Sequence, residues 1–208
     1  MELTQRINAD SCALIVIDMQ NDYCHSDGIC AKRGHSVEAA HAMIPRLKEI
    51  IAQARLVRIP VIFVMTENDE TNVTPAWLNR YGVAKASSEY SCRTGSWGAQ
   101  FYEVSPSAGD IVISKSRYSA FVGTELDSTL RNMGRSSLLF TGVATNICVE
   151  SSLRDALSLD YYVTLVEDCC AAFTNEAHNG AIRNVKQQFG IVTTSFDIMD
   201  EWRNLSGQ

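Results

Sequence analysis

No cysteine of this 208-residue chain belongs to a C-x-x-C pair, which removes the usual spacings of a zinc ribbon and of a thioredoxin-type redox site. No apolar run approaches the roughly 20 residues of a membrane span. The first residues, MELTQRINADSC, lack the basic start and apolar core of a secretory signal. Lys/Arg-rich blocks are missing too, and the formal charge is −6, so neither a nucleic acid nor a membrane is expected as a partner. There is no internal repeat and no low-complexity linker. What remains is the expectation of a soluble, cytoplasmic protein with a single domain, residues 1–208. Its seven cysteines, an odd number, are then reduced thiols rather than a disulfide framework.

What is present is a rhythm of short apolar runs. Residues 13–18 (ALIVID), 61–66 (VIFVMT), 111–114 (IVIS), 137–141 (SLLFT), 162–167 (YVTLVE) and 191–194 (IVTT) are nearly continuous in apolar and β-branched side chains. Strands buried on both faces look like this. Helical periods lie between them. Val37, Ile44, Leu47, Ile51 and Ala54 share one face. Residues 146–159 put Val149, Leu153, Ala156 and Leu157 on one stripe, and Asn175 opens a helix that closes near Gly190. In TELDSTLRNMG (124–134), Thr124 and Asp127 have capping-box spacing and Gly134 supplies a stop.

Strand and helix in alternation predict an α/β fold: a doubly wound, mostly parallel six-stranded sheet with helices on both faces. Residues 67–110 interrupt the pattern. They hold Pro75, Gly82, Gly95, Gly98 and Pro106 and carry Trp77, Trp97, Tyr81, Tyr90 and Tyr102. A stretch of that length reads as a functional excursion, a lid over a site or a subunit interface.

In an open parallel sheet, ligands bind outside the carboxyl ends of the strands. The first run ends in Asp18, the third ends at Ser114 with Lys115 next, and the fourth ends at Thr141 and leads through GVATN to Cys148. A carboxylate, an ammonium and a thiol therefore leave one edge of one sheet. Taken singly, each has a plainer reading: a turn-forming carboxylate, a solvated lysine, a small core residue. Together they are a chemically complete set, because a thiol needs a base and the base needs orienting. The helix that begins near Cys148 is expected to lower the thiol pKa as well.

The same residues carry a resemblance. IVIDMQNDY around Asp18, SKSRYSAF around Lys115 and TGVATNICVESSLRDA around Cys148 resemble the three signature blocks of the isochorismatase-like cysteine hydrolases, in the expected order and over most of the chain. The resemblance implies a Rossmann-like three-layer fold and a catalytic triad of Asp18, Lys115 and Cys148. It implies a cis peptide between Val143 and Ala144, an oxyanion hole made by the backbone N–H groups of Ala144 and Cys148, and a homo-oligomer. In the mechanism that follows, Asp18 takes the proton of Cys148 and the thiolate attacks a carbonyl carbon. An amine or ammonia leaves, and water hydrolyses the thioester.

The nicotinamidase branch of that family carries an Asp-and-histidine metal motif where this sequence reads FVMTENDET (63–71), without histidine. Cys24, His25, Cys30 and His35 match no familiar zinc spacing, so neither a metal nor another cofactor is expected. Isochorismatases proper cleave a vinyl ether and need no cysteine nucleophile. Cys148 thus favours hydrolysis of a C–N bond in a small amide or ureido substrate. SRYSAF and TNICVESSLRD are most similar to the ureidoacrylate and N-carbamoyl amidohydrolases, but TENDETNVTPAWLNRYG (66–82) departs from the ureidoacrylate pattern and leaves the substrate open.

Tyr23 and Tyr118, beside the triad blocks, are candidate pocket walls, and Arg117 and Arg80 are candidate partners for a substrate carboxylate. Aromatic packing and surface exposure are their plainer readings. Three other functions stay open: an ether hydrolase, a non-catalytic relative that binds another protein, and a redox sensor built on Cys169 and Cys170, whose adjacency strains a disulfide.

Overall fold

A computed structural model describes residues 2–80 and 90–206; Tyr81 and Gly82 lie outside the described residues. Six strands form one sheet: β1 (Cys12–Ile17), β2 (Val61–Thr66), β3 (Ile111–Lys115), β4 (Ser137–Val143), β5 (Tyr162–Ala171) and β6 (Ile191–Thr193). Their order is β3-β2-β1-β4-β5-β6, and every neighbouring pair is parallel. The chain winds one way from β1 to β3 and the other way from β4 to β6. The reversal falls between β1 and β4, where a doubly wound sheet opens its crevice.

Helices α1 (Leu3–Arg6), α2 (Asn21–Cys24) and α3 (Ile29–Lys32) are single turns, and α4 (Glu38–Leu56) is the long crossover from β1 to β2. After the single turn α5 (Pro75–Leu78) come α6 (Leu126–Asn132), α7 (Glu150–Ser158), α8 (Asn175–Asn184) and the final α9 (Ser195–Ser206). Among the described residues no helix is long and apolar enough to cross a membrane.

The period-2 alternation of a strand explains why the sequence runs look uniformly apolar. Cys12, Leu14 and Val16 of β1 join the core beneath α4 and α9, with Leu47, Ile50 and Trp202. Ala13, Ile15 and Ile17 face the other way, into a second core with Leu126, Leu130, Leu153 and Ala156 of α6 and α7. Both faces are dry, so β1 has no polar side to show. The β3 edge is different: Val112 and Ser114 are exposed while Ile113 and Lys115 are buried.

β4 runs on to Val143 and β5 to Ala171, past the ends predicted at 141 and 167. The pairing shifts register between Phe140 and Gly142, which faces Cys170 rather than a residue two beyond Leu165. The extra residues of β5 at this irregularity include Glu167 and Asp168, whose polarity reads as a strand end. The capping box at Thr124 does not form. α6 starts two residues later, the Thr124 hydroxyl donates to the Ala120 carbonyl at 2.5 Å, and Asp127 is bound by Arg131 and Tyr161 instead. Leu157, which shares the stripe of Leu153 and Ala156 by its spacing, is 38% exposed, while Leu153 and Ala156 are buried.

Gly142 lets the two halves of the sheet meet. It pairs with Ile17, has φ +106°, and a Cβ there would overlap the Ile17 carbonyl oxygen. Gly142→Ala is expected to lose about 2 kcal/mol or more of stability from the backbone conformation alone. Urea or thermal unfolding of the purified variant checks this; a melting curve like that of the wild type would contradict it.

Candidate active site

Asp18 follows β1, its backbone N–H still bonded to the Val64 carbonyl (2.8 Å), and its φ of +53° turns the chain out of the sheet. Lys115 is the last residue of β3, one position earlier in the architecture than its place after a strand suggested, and it pairs in register with Thr66 at the end of β2. Three adjacent strand ends therefore deliver a carboxylate, a hydroxyl and an ammonium to one point. Lys115 Nζ lies 2.7 Å from Asp18 Oδ2, 2.8 Å from Thr66 Oγ1 and 3.1 Å from the Arg117 carbonyl. An ammonium has three hydrogens to donate, and all three are placed. Thr66 passes its own hydrogen to Asp18 Oδ1 at 3.1 Å.

Burial works against the Lys115 ammonium, but the charge of Asp18 leads the effects that outweigh it, the hydrogen bond to Asp18 among them, and the lysine pKa is raised. It is a cation throughout the neutral range.

Cys148 arrives from the other side of the crevice. After β4 the chain makes a π turn over Thr145–Val149, with the Val149 N–H reaching the Ala144 carbonyl five residues back. The peptide bond between Val143 and Ala144 is cis. Cys148 interacts with both Asp18 and Lys115 and is 7% exposed. Its pKa is raised: burial dominates, the Lys115 ammonium opposes it and the Asp18 charge adds to it. The expected lowering by a helix start is thus reversed. Cys148 sits inside the turn that precedes α7, where loss of water outweighs the favourable charge.

These groups open onto a cavity of about 340 Å³ whose lining includes Asp18, Thr66, Lys115, Ala144 and Cys148. Tyr23, Tyr118, Arg117 and Arg80 line the same cavity. At its rim Trp77 packs against Tyr118 with the rings tilted, their centroids 4.7 Å apart. The Arg80 guanidinium lies 4.1 Å from the Trp77 ring and donates through Nε to the Tyr118 hydroxyl at 3.0 Å. Arg117 lies 5.1 Å from the same ring, with one nitrogen held by the carbonyls of Asn72 and Ser116.

Sequence reasoning passed over several residues that build the site. Gln20 donates to the carbonyls of Thr66 and Ala99 and accepts from the Thr66 N–H, each at 2.8 Å. Asn21 donates to the Trp97 carbonyl, and Asp22 accepts from the N–H groups of Cys92 and Ile29. The signal was the polar triplet QND, separated by two residues from the end of a fully buried strand. Arg33, His35 and Phe173 also line the cavity, His35 stacked on Phe173 with centroids 4.7 Å apart.

Among the described residues no three His, Cys, Asp or Glu side chains are grouped to hold a metal ion; Cys24, His25, Cys30 and His35 do not form such a group. Cys169 and Cys170 belong to opposite cores, so their thiols point away from each other across β5.

The family model of the isochorismatase domain matches residues 12–197. The chain belongs to the isochorismatase family. Among curated relatives in this family, it is 36% identical over 206 residues to the ureidoacrylate amidohydrolase RutB of Variovorax paradoxus (strain S110), covering 93% of this chain and 82% of that protein. It is 39% identical over 194 residues to the RutB of Yersinia enterocolitica, covering 87% and 84%. Among solved structures, a cysteine hydrolase from Pseudomonas syringae pv. phaseolicola 1448A shares the fold with a TM-score of 0.85 at 22% identity, over 96% and 95% of the two chains. N-carbamoylsarcosine amidase from Thermoplasma acidophilum superposes with a TM-score of 0.72 at 27% identity, over 89% and 96%.

In this isochorismatase-family site, a buried thiol with a raised pKa holds its proton at neutral pH. Alkylation of Cys148 by iodoacetamide, followed by peptide mass mapping, is expected to be slow at pH 7 and still accelerating above the ordinary thiol value of 9.0. A rate that levels off below pH 8 would instead mean a standing thiolate.

Proposed function

We propose that this amidohydrolase of non-peptide carbon–nitrogen bonds cleaves a small ureido or amide substrate through a covalent intermediate on Cys148, with Asp18 as acid–base and Lys115 as its electrostatic partner. The observation that carries the reading is the buried 2.7 Å ion pair between Lys115 and Asp18 beside a thiol that opens onto a cavity. The names of the relatives point to the same bond type, ureidoacrylate and N-carbamoylsarcosine.

The resting site holds a neutral thiol, a carboxylate and an ammonium. As the sulfur attacks the substrate carbonyl carbon, the Sγ–H proton passes to Asp18 and the carbonyl oxygen becomes an oxyanion. The backbone N–H groups of Ala144 and Cys148 receive it. Lys115 stays charged, so the Asp18 oxygens remain oriented while their proton comes and goes. Collapse of the tetrahedral adduct breaks the C–N bond, and the departing nitrogen takes the proton from Asp18. An S-acyl enzyme remains, S-carbamoyl for a ureido substrate. Asp18, again a carboxylate, takes a proton from the water that attacks it, and the thiol is released reprotonated.

The lining also suggests the rest of the substrate. Asp18 is its one carboxylate among the described residues, and Arg33, Arg80 and Arg117 line it as well, Arg80 bonded to the Tyr118 hydroxyl and Arg117 to the Asn72 and Ser116 carbonyls. A guanidinium in the cavity wall can bind a carboxylate at the end of the substrate remote from the reacting carbonyl. Residues 67–110 then serve as its roof, through Trp77 and Arg80.

Ammonia release from a panel of ureido acids, primary amides and nicotinamide tests the reading, and silence on every compound would sink it. Cys148→Ala is expected to abolish turnover with an unchanged circular dichroism spectrum and melting temperature. Arg80→Ala is expected to raise KM about tenfold for a ureido acid, the loss of one charged hydrogen bond, and much less for the matching uncharged amide.

A further inference from the structure

The turn that carries the nucleophile is braced by a side chain absent from the steps above. Thr145 stands between Ala144 and Cys148 and is fully buried. Its hydroxyl lies 2.8 Å from Nδ1 of His178, on the first turn of α8. Burial lowers the His178 pKa, with the Glu167 carboxylate opposing. The ring is therefore neutral in the neutral range, and its Nδ1 shares a single hydrogen bond with the Thr145 hydroxyl, either atom being able to donate according to the tautomer.

The other end of the turn is tied separately. The Ser152 hydroxyl donates to the Cys148 carbonyl at 2.6 Å and accepts from the Ala120 N–H at 2.9 Å. Between the two ties the backbone is a π turn in which the N–H groups of Ile147 and Val149 share the Ala144 carbonyl. A single π turn has little regular hydrogen bonding of its own to fix its shape, so its side-chain anchors decide where its free-standing N–H groups point. Ser152 holds the nucleophile's end, and His178 holds the end next to Ala144.

We propose that His178 is a positioning residue for the reaction: through Thr145 it fixes the Ala144 end of the nucleophile turn, and with it the N–H that receives the oxyanion. This rests on the amidohydrolase reading of the site. His178 is not among the residues lining the cavity, so it acts on the transition state only through the turn. An oxyanion donor contributes where charge develops and little in the ground state. Loss of the brace therefore falls on kcat rather than KM.

The test compares the full chain with His178→Leu, His178→Asn, Thr145→Val and the His178→Leu/Thr145→Val pair, using a ureido or amide compound that the wild type turns over. Asparagine places a carboxamide near the position of Nδ1, whose oxygen can accept or whose nitrogen can donate in the same bond. kcat is expected to fall about 10- to 100-fold in the Leu and Val variants, as for a small misplacement of catalytic groups, with KM within about threefold. His178→Asn is expected to recover most of the loss, and the pair to be no worse than its worse single member, since both remove one bond. Unchanged kcat in the Leu variant, equal damage from Asn and Leu, or additive losses in the pair overturns the proposal. If His178→Leu does not fold, Thr145→Val removes the same bond from the other side and decides alone. A wild type that hydrolyses none of the compounds defeats the functional reading instead. The brace is then read from Cys148 alkylation: faster modification in the Leu and Val variants, but not in Asn, supports it, and equal rates overturn it.

Discussion

The Lys115 ammonium and the Asp18 carboxylate meet at 2.7 Å with about 1% of either side chain exposed. Taking two such ions out of water costs several kcal/mol for each, and their attraction repays it only if every remaining donor and acceptor is matched. The sheet supplies that matching. Thr66 bridges the pair, the Arg117 carbonyl takes the third ammonium hydrogen, and Gln20 locks Thr66 from both its N–H and its carbonyl. Each of these partners lies at or just past a strand end. The ion pair therefore requires β1, β2 and β3 to finish level with one another, and the parallel register provides it.

The thiol is placed under a different rule. It enters from β4, across the reversal of the sheet, and its turn is shaped by side chains of other elements. A neutral thiol beside a matched ion pair has no net charge of its own. In the proposed mechanism it turns nucleophilic only as a carbonyl comes close enough for its proton to move to Asp18, so that the Asp18–Lys115 pair would hold the reactivity until a substrate draws on it.

Much of this was legible in the chain. The six apolar runs stand out because most of the strands are buried on both faces, and Asp18 and Lys115 stand out because charged groups end or directly follow such runs, with Cys148 a few residues past another. What was hidden depends on partners far away in sequence. Thr66 is an ordinary β-former until Lys115 lies beside it, and Gln20 has no evident role until Ala99 closes over it. The continuation of β4 through Gly142 was masked because glycine reads as a stop, although here its missing Cβ is what allows the strand to pass Ile17. The thiol pKa was misjudged because a helix start is visible in sequence and burial is not. Leu157 shows the converse: periodicity gives a face but not where packing against it ends.

Gln20, Asn21 and Asp22 form a row of sockets just past β1, and each receives backbone from the far half of the excursion: the carbonyls of Ala99 and Trp97 and the N–H of Cys92. These bonds go to main chain, so they are indifferent to which side chains that half carries. The floor comes from strand ends scattered through the chain, while the roof comes from one contiguous insertion plugged into a fixed row of sockets. Such a site is modular. On the proposed function, exchanging that single stretch of loop would change which substrate fits while leaving the cluster of Asp18, Lys115 and Cys148 beneath it in place.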